Sequence, residues 1–109
     1  MQEFTFAYLR EALVYDHDSG LFTWRVRPVS HFRSKKAWNQ SNSHFAGKVA
    51  GSKDPKHGYI RIKLCGKNHK AHRLAWLYVH EHWPEGEIDH VNGIRDDNRI
   101  GNLRDVSHK

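Results

Sequence analysis

The spacing of apolar positions changes several times along the chain, and each change marks an element. Phe4, Tyr8 and Ala12 recur every four residues with Leu9 and Leu13 beside them, which predicts a short amphipathic helix over 4–14. Asp16-His17-Asp18-Ser19-Gly20 reads as a turn, because Asp and Ser bond their own backbone and Gly tolerates positive φ. Residues 21–26, LFTWRV, alternate and favour strand. Residues 28–46 show no period and are expected to form a basic surface loop rich in Ser and Asn, with Trp38 and Phe45 as anchors. A short strand is expected over 48–50 and a turn over 54–58. Residues 59–64 alternate strictly, placing Tyr59, Arg61 and Lys63 on one face and Ile60, Ile62 and Leu64 on the other. A hairpin turn at Gly66-Lys67-Asn68 leads to a strand over 69–72, then to a helix over 73–82 with Leu74, Leu77 and Tyr78 on one face. Pro84-Glu85-Gly86 breaks the chain. Two short strands, 87–91 and 103–106, flank a loop over 92–101. The expected class is α+β: a small antiparallel sheet with two helices and a terminal ββ unit.

Length and composition narrow the function classes. At 109 residues and 12.8 kDa, with no internal repeat, one small domain is expected over 1–109. Its parts are an N-terminal helix, strand and basic loop (1–46), a hairpin and helix (47–86), and the terminal unit (87–109). Trp24, Trp76 and Trp83 are assigned to the core, and Trp38 has the best claim to an exposed role. The single Cys65 excludes an internal disulfide framework and a zinc site of paired cysteines, and no function is assigned to it. A mean hydropathy of −0.84 and the lack of an apolar run near 18 residues argue against a membrane span. The N-terminus does not read as a signal peptide, so a cytosolic protein is expected. The net charge of +6 suits a nucleic-acid ligand, since each Lys or Arg on a phosphate releases a counterion. The same charge is also compatible with a merely solvated surface.

The chemistry concentrates in residues 87–104, EIDHVNGIRDDNRIGNLR. Asp89 and His90 are adjacent in a strand, so alternation sends their side chains to opposite sides. Asp89 offers a hard carboxylate oxygen suited to Mg²⁺ or Mn²⁺. His90 offers an imidazole able to take a proton from water. Asn102, twelve residues on, can bond either the imidazole or the loop backbone. A water-activating base beside a divalent ion and a phosphate is a site for phosphodiester hydrolysis. The alternative is a turn rich in Asp and Asn in which His90 is one of ten scattered histidines.

The pattern D-H-x-N-G-x-x-x-D-N-R-x-x-N-L-R at 89–104 resembles the phage HNH homing-type endonucleases, a branch of the ββα-metal nucleases. AHRLAW (71–76), WPEGEIDH (83–90), YDHDSGLFTWR (15–25) and GYIRIKLCGKNHKAHRLAW (58–76) carry the likeness upstream, and it is weakest over 28–46. The resemblance implies that His90 is the general base, Asp89 a metal ligand and Asn102 the central Asn that constrains the loop and positions the base. It implies a divalent ion, Mg²⁺ or Mn²⁺, double-stranded DNA as partner, and the cytoplasm of an infected bacterial host as location. Arg61, Lys63, Arg95, Arg99 and Arg104 are the candidate phosphate contacts, while His72 and Asn98 are expected to give structural support. The third motif residue would fall near position 111, past Lys109, so the closing helix is expected to be truncated or missing. His108 is a substitute ligand at a spacing shorter than usual, and Ser107 a candidate helix cap. The rival expectation is a catalytically incomplete HNH scaffold that binds DNA or a host protein without cutting. Monomer and homodimer both remain open.

Overall fold

The structure is a computed structural model and describes residues 3–107. Helix α1 (Phe6–Ala12) starts at Thr5, whose hydroxyl accepts from the Tyr8 N–H at 3.0 Å. It ends two residues earlier than periodicity predicts. Leu13, Val14 and Tyr15 leave as strand β1 (Leu13–Tyr15), with Leu13 and Tyr15 buried and Val14 exposed. Leu9 and Leu13 fit both a helical and an alternating pattern; antiparallel pairing with β2 (Phe22–Trp24) settles the conformation.

The expected loop over 28–46 is corrected in its larger part. After a 3₁₀ turn at Val29–His31, residues Lys35–Phe45 form helix α2, so three helices are present among the described residues rather than two. No residue of α2 is fully buried, which is why no apolar stripe announces it. Polar anchors attach it instead. The Trp38 indole N–H donates to the Arg27 carbonyl at 2.7 Å. The Asn42 amide clasps the Arg27 backbone, donating to its carbonyl at 3.0 Å and accepting from its N–H at 2.9 Å. Trp38 is therefore a half-buried anchor, not an exposed group. Two terminus signals were present: Ser34 caps the Ala37 N–H at 3.1 Å, and Gly47 follows the helix with φ +84°.

Strand β3 is Ser52–Lys53, not 48–50; Val49 makes only an isolated bridge to Thr23. β4 (Ile60–Leu64) and β5 (Lys67–Lys70) complete a three-stranded antiparallel sheet in the order β3-β4-β5. The hairpin turns on Cys65 and Gly66, both at positive φ, with Leu64 opposite Lys67, so Lys67 and Asn68 are strand residues rather than turn. β5 runs directly into helix α3 (Ala71–His80), which begins two residues earlier than expected and places His72 in its first turn. β6 (Ile88–His90) and β7 (Leu103–Asp105) form the last antiparallel pair, with His90 opposite Leu103 and Asp89 opposite Arg104. The strands thus form three small antiparallel sheets, the last of them the expected terminal ββ unit.

One core joins these parts. Leu9, Leu13, Phe22, Ile62, Leu64 and Leu74 are almost fully enclosed, and Tyr78 reaches from α3 to donate its hydroxyl to the Leu13 carbonyl at 3.2 Å. Trp24 and Trp76 pack at the core margin, but Trp83, expected inside, is 41% exposed. The consequence for the site is that α3 and the N-terminal hairpin both pack against the β6–loop–β7 unit.

Candidate active site

The β6–β7 connection is shaped by side-chain amides. Asn102 Oδ1 accepts the Asn92 N–H at 3.0 Å, while its Nδ2 donates to Asn92 Oδ1 at 3.0 Å and to the Asp97 carbonyl at 2.9 Å. Of the two partners open to it, Asn102 thus takes the loop, joining its start to its end; the imidazole of His90 has another partner. Arg99 makes a two-pronged contact with Asp97 at 2.8 and 2.7 Å, and these bonds hold the Asp97 carboxyl well below the usual carboxylate range.

The partner of His90 is Asn98. His90 Nε2 lies 2.9 Å from Asn98 Oδ1, with both residues buried. An amide oxygen only accepts, so Nε2 carries the proton and Nδ1 has the lone pair. Nδ1 makes no hydrogen bond among the described residues and, unlike Nδ1 of His72, is not sealed from the surface. It is the atom able to receive a proton.

Asn98 is held from the far side by the N-terminal hairpin. The Tyr15 hydroxyl donates to its backbone carbonyl, and burial pushes the Tyr15 phenol up to about 12. Gly20 (φ +75°) presses its backbone against the same segment: a Cβ there would stand 2.3 Å from the Arg99 nitrogen and 2.5 Å from the Asn98 carbonyl carbon. The turn at 16–20 is therefore part of the support behind the imidazole.

His90 and Asp89 border one cleft of about 260 Å³ with Tyr59, Ile88, Gly93 and Arg95. His90 forms its buried side. Asp89, half-exposed, bonds Arg104 across the strand pair at 2.7 Å. Arg95 lies over the Tyr59 ring at 5.2 Å and donates to the His57 carbonyl at 2.8 Å. Lys70 lies over the same ring, also at 5.2 Å. His72 packs edge-on against His90, ring centroids 5.0 Å apart. Burial, with the nearby His90, Lys70 and Arg73, depresses the His72 pKa to about 4, so it stays neutral.

Of the predicted phosphate contacts, only Arg95 lines this cleft; Arg99 and Arg104 are engaged by Asp97 and Asp89, and Arg61 and Lys63 project from the exposed positions of β4. His108 lies outside the described residues. Ser107 donates to Asp105 Oδ1 at 2.9 Å. Sequence reasoning missed Tyr59 as a wall of the cleft, and Tyr15 and Gly20 as supports. The only signal for the last two was the likeness of YDHDSGLFTWR itself.

The site thus combines a buried His-Asn pair at the end of a strand, an adjacent carboxylate and an amide-stapled loop. Over residues 69–109 the chain matches a family model described as HNH endonuclease. Over 69 residues it is also 39% identical to the DNA endonuclease I-HmuI of Bacillus phage SP01, an alignment covering 59% of this chain and 40% of that protein. The chain thus spans well under half the length of that relative. No solved structure matches the chain significantly.

Proposed function

We propose that this chain is a metal-dependent DNA endonuclease or nickase of the phage HNH type, acting in the cytoplasm of the infected host bacterium. The observation that carries the reading is the His90–Asn98 bond, which leaves Nδ1 as the lone-pair nitrogen of a residue bordering a cleft shared with a carboxylate and an arginine. His90 Nδ1 takes a proton from water. The water oxygen attacks phosphorus, the bond to the 3′ oxygen breaks, and that oxygen leaves to take a proton from solvent. Arg95, on the cleft wall, meets a phosphate oxygen. The I-HmuI relative, a DNA endonuclease by name, supports DNA as the substrate.

The donor set for a metal is small. Among the described residues no group of three or more His, Cys, Asp or Glu is placed to hold an ion. Asp89 alone supplies a hard oxygen at the cleft. One carboxylate completed by substrate phosphate and water is a mode that suits Mg²⁺ or Mn²⁺. Such an ion, when bound, would neutralise the phosphate and stabilise the leaving oxygen.

The pairing of Asp89 with Arg104 favours a second reading, a catalytically incomplete HNH scaffold that binds DNA or a host protein without cutting. Supercoiled plasmid separates the two. The nuclease reading expects nicked circles in Mg²⁺ or Mn²⁺, none in EDTA, and a loss of at least tenfold in Asp89→Ala. Intact plasmid under every metal condition, with the protein folded, supports the scaffold.

A further inference from the structure

We propose that the outward face of helix α2 is a docking surface for duplex DNA flanking the cleavage point. The inference rests on the reading of DNA as the ligand and adds a contact surface outside the cleft. Residues 19–53 contain seven Lys and Arg and not one Asp or Glu, whereas the rest of the chain has eleven basic and twelve acidic residues. The whole positive excess of the protein therefore sits in one continuous segment. Within it α2 turns Ala37, Trp38, Ser41 and Asn42 toward the protein and leaves Lys35, Lys36, Asn39, Gln40, Ser43 and His44 exposed. None of the ion pairs among the described residues involves Arg33, Lys35 or Lys36.

That combination is poorly suited to a protein partner, whose interface cores exclude Lys. It suits a duplex: lysines on phosphates, and primary amides that match the donor and acceptor edges of adenine. The segment is also fastened to the candidate active site at both ends. Gly20, near its start, packs on Asn98 and Arg99; Lys53, at its close, pairs with Asp96 at 3.2 Å. Duplex seated on α2 thus meets a body fixed to the loop that holds His90. The protein measures 46 Å along its longest axis, the rise of about 14 base pairs at 3.4 Å each.

The test measures binding separately from cutting. The full chain carrying His90→Ala is titrated onto a fluorescent 30-base-pair duplex in EDTA across a salt series. Adding Lys35→Glu and Lys36→Glu is expected to weaken binding at least tenfold and to lower the slope of log affinity against log salt by about two, with helix content by circular dichroism unchanged. Affinity within twofold and an unchanged slope overturn the proposal. Asn39→Ala with Gln40→Ala is then compared on a duplex that the parent protein enriches from a random pool and on a scrambled one. A loss of about tenfold confined to the enriched duplex supports base contact by the amides; equal affinities overturn it. If the wild-type chain fails to nick plasmid while binding still depends on α2, the nuclease reading falls and this inference stands. If nicking requires His90 but affinity ignores α2, the inference alone falls.

Discussion

Asn98→Ala isolates the residue on which the candidate site turns. The substitution removes the only acceptor among the described residues for the His90 Nε2–H, a buried bond of 2.9 Å. It leaves the Asn98 backbone carbonyl, and hence the Tyr15 contact, in place. A buried donor left without a partner costs about 1–3 kcal/mol. For a domain of this size each kcal/mol lowers the melting temperature by about 4–8 °C. The rate should fall further than stability explains, because the imidazole loses the bond that fixes its tautomer and its plane. Outer partners of this kind are worth about 10–100-fold. The assay is single-turnover nicking of supercoiled plasmid with Mn²⁺, well below the melting temperature of the variant. Tyr15→Phe serves as comparison: it removes a hydrogen bond to the same residue, costs about 1 kcal/mol, and should leave the rate within about threefold. Equal rate losses in Asn98→Ala and Tyr15→Phe, or a wild-type rate in Asn98→Ala, would refute the positioning role.

Three other outcomes follow from the same geometry. Gly20→Ala places a Cβ against the Asn98–Arg99 backbone at positive φ and should destabilise the protein by more than about 2 kcal/mol in urea unfolding; an unchanged midpoint contradicts the packing. His72 is depressed to about 4 when folded, so the unfolded chain binds its proton more tightly. The associated stability is complete above about pH 6.5 and is lost as pH falls toward 4, by up to about 3 kcal/mol. Carboxylates such as Asp97 lose stability in the same direction, so the check is His72→Phe, whose urea midpoint should fall less between pH 7 and pH 4.5 than that of wild type. Arg104→Ala removes an exposed pair worth no more than about 1 kcal/mol and frees Asp89, so half-maximal nicking should need less Mn²⁺; a higher requirement would show that Arg104 assists the ion or the substrate.

Elements whose apolar spacing matches one period were legible from sequence: β4, the face of α3, and the paired strands at 88–90 and 103–105. α2 was not, because it is attached by the Trp38 indole and the Asn42 amide rather than by an apolar stripe. The end of the first helix misled because Leu13 satisfies two periods, and only the pairing of Leu13–Tyr15 with 22–24 decides between them. In the site, Asp89 and His90 were visible as chemical types in a motif. The division of labour between the two amides was not. Asn102 staples the loop and Asn98 meets the imidazole, a distinction set by the path of the loop from Asn92 to Arg99. The contribution of Tyr15 and Gly20 spans about eighty residues of sequence and exists only in the folded chain.

The central claim is that His90 takes the proton of the attacking water in a DNA-cutting site. Its most direct test is the nicking rate of His90→Ala beside wild type on supercoiled plasmid, with Mn²⁺ saturating and both proteins verified as folded. The account predicts nicking by the wild-type chain and a fall of about 10²–10⁴-fold in the variant. Nicking at the wild-type rate by His90→Ala would contradict it.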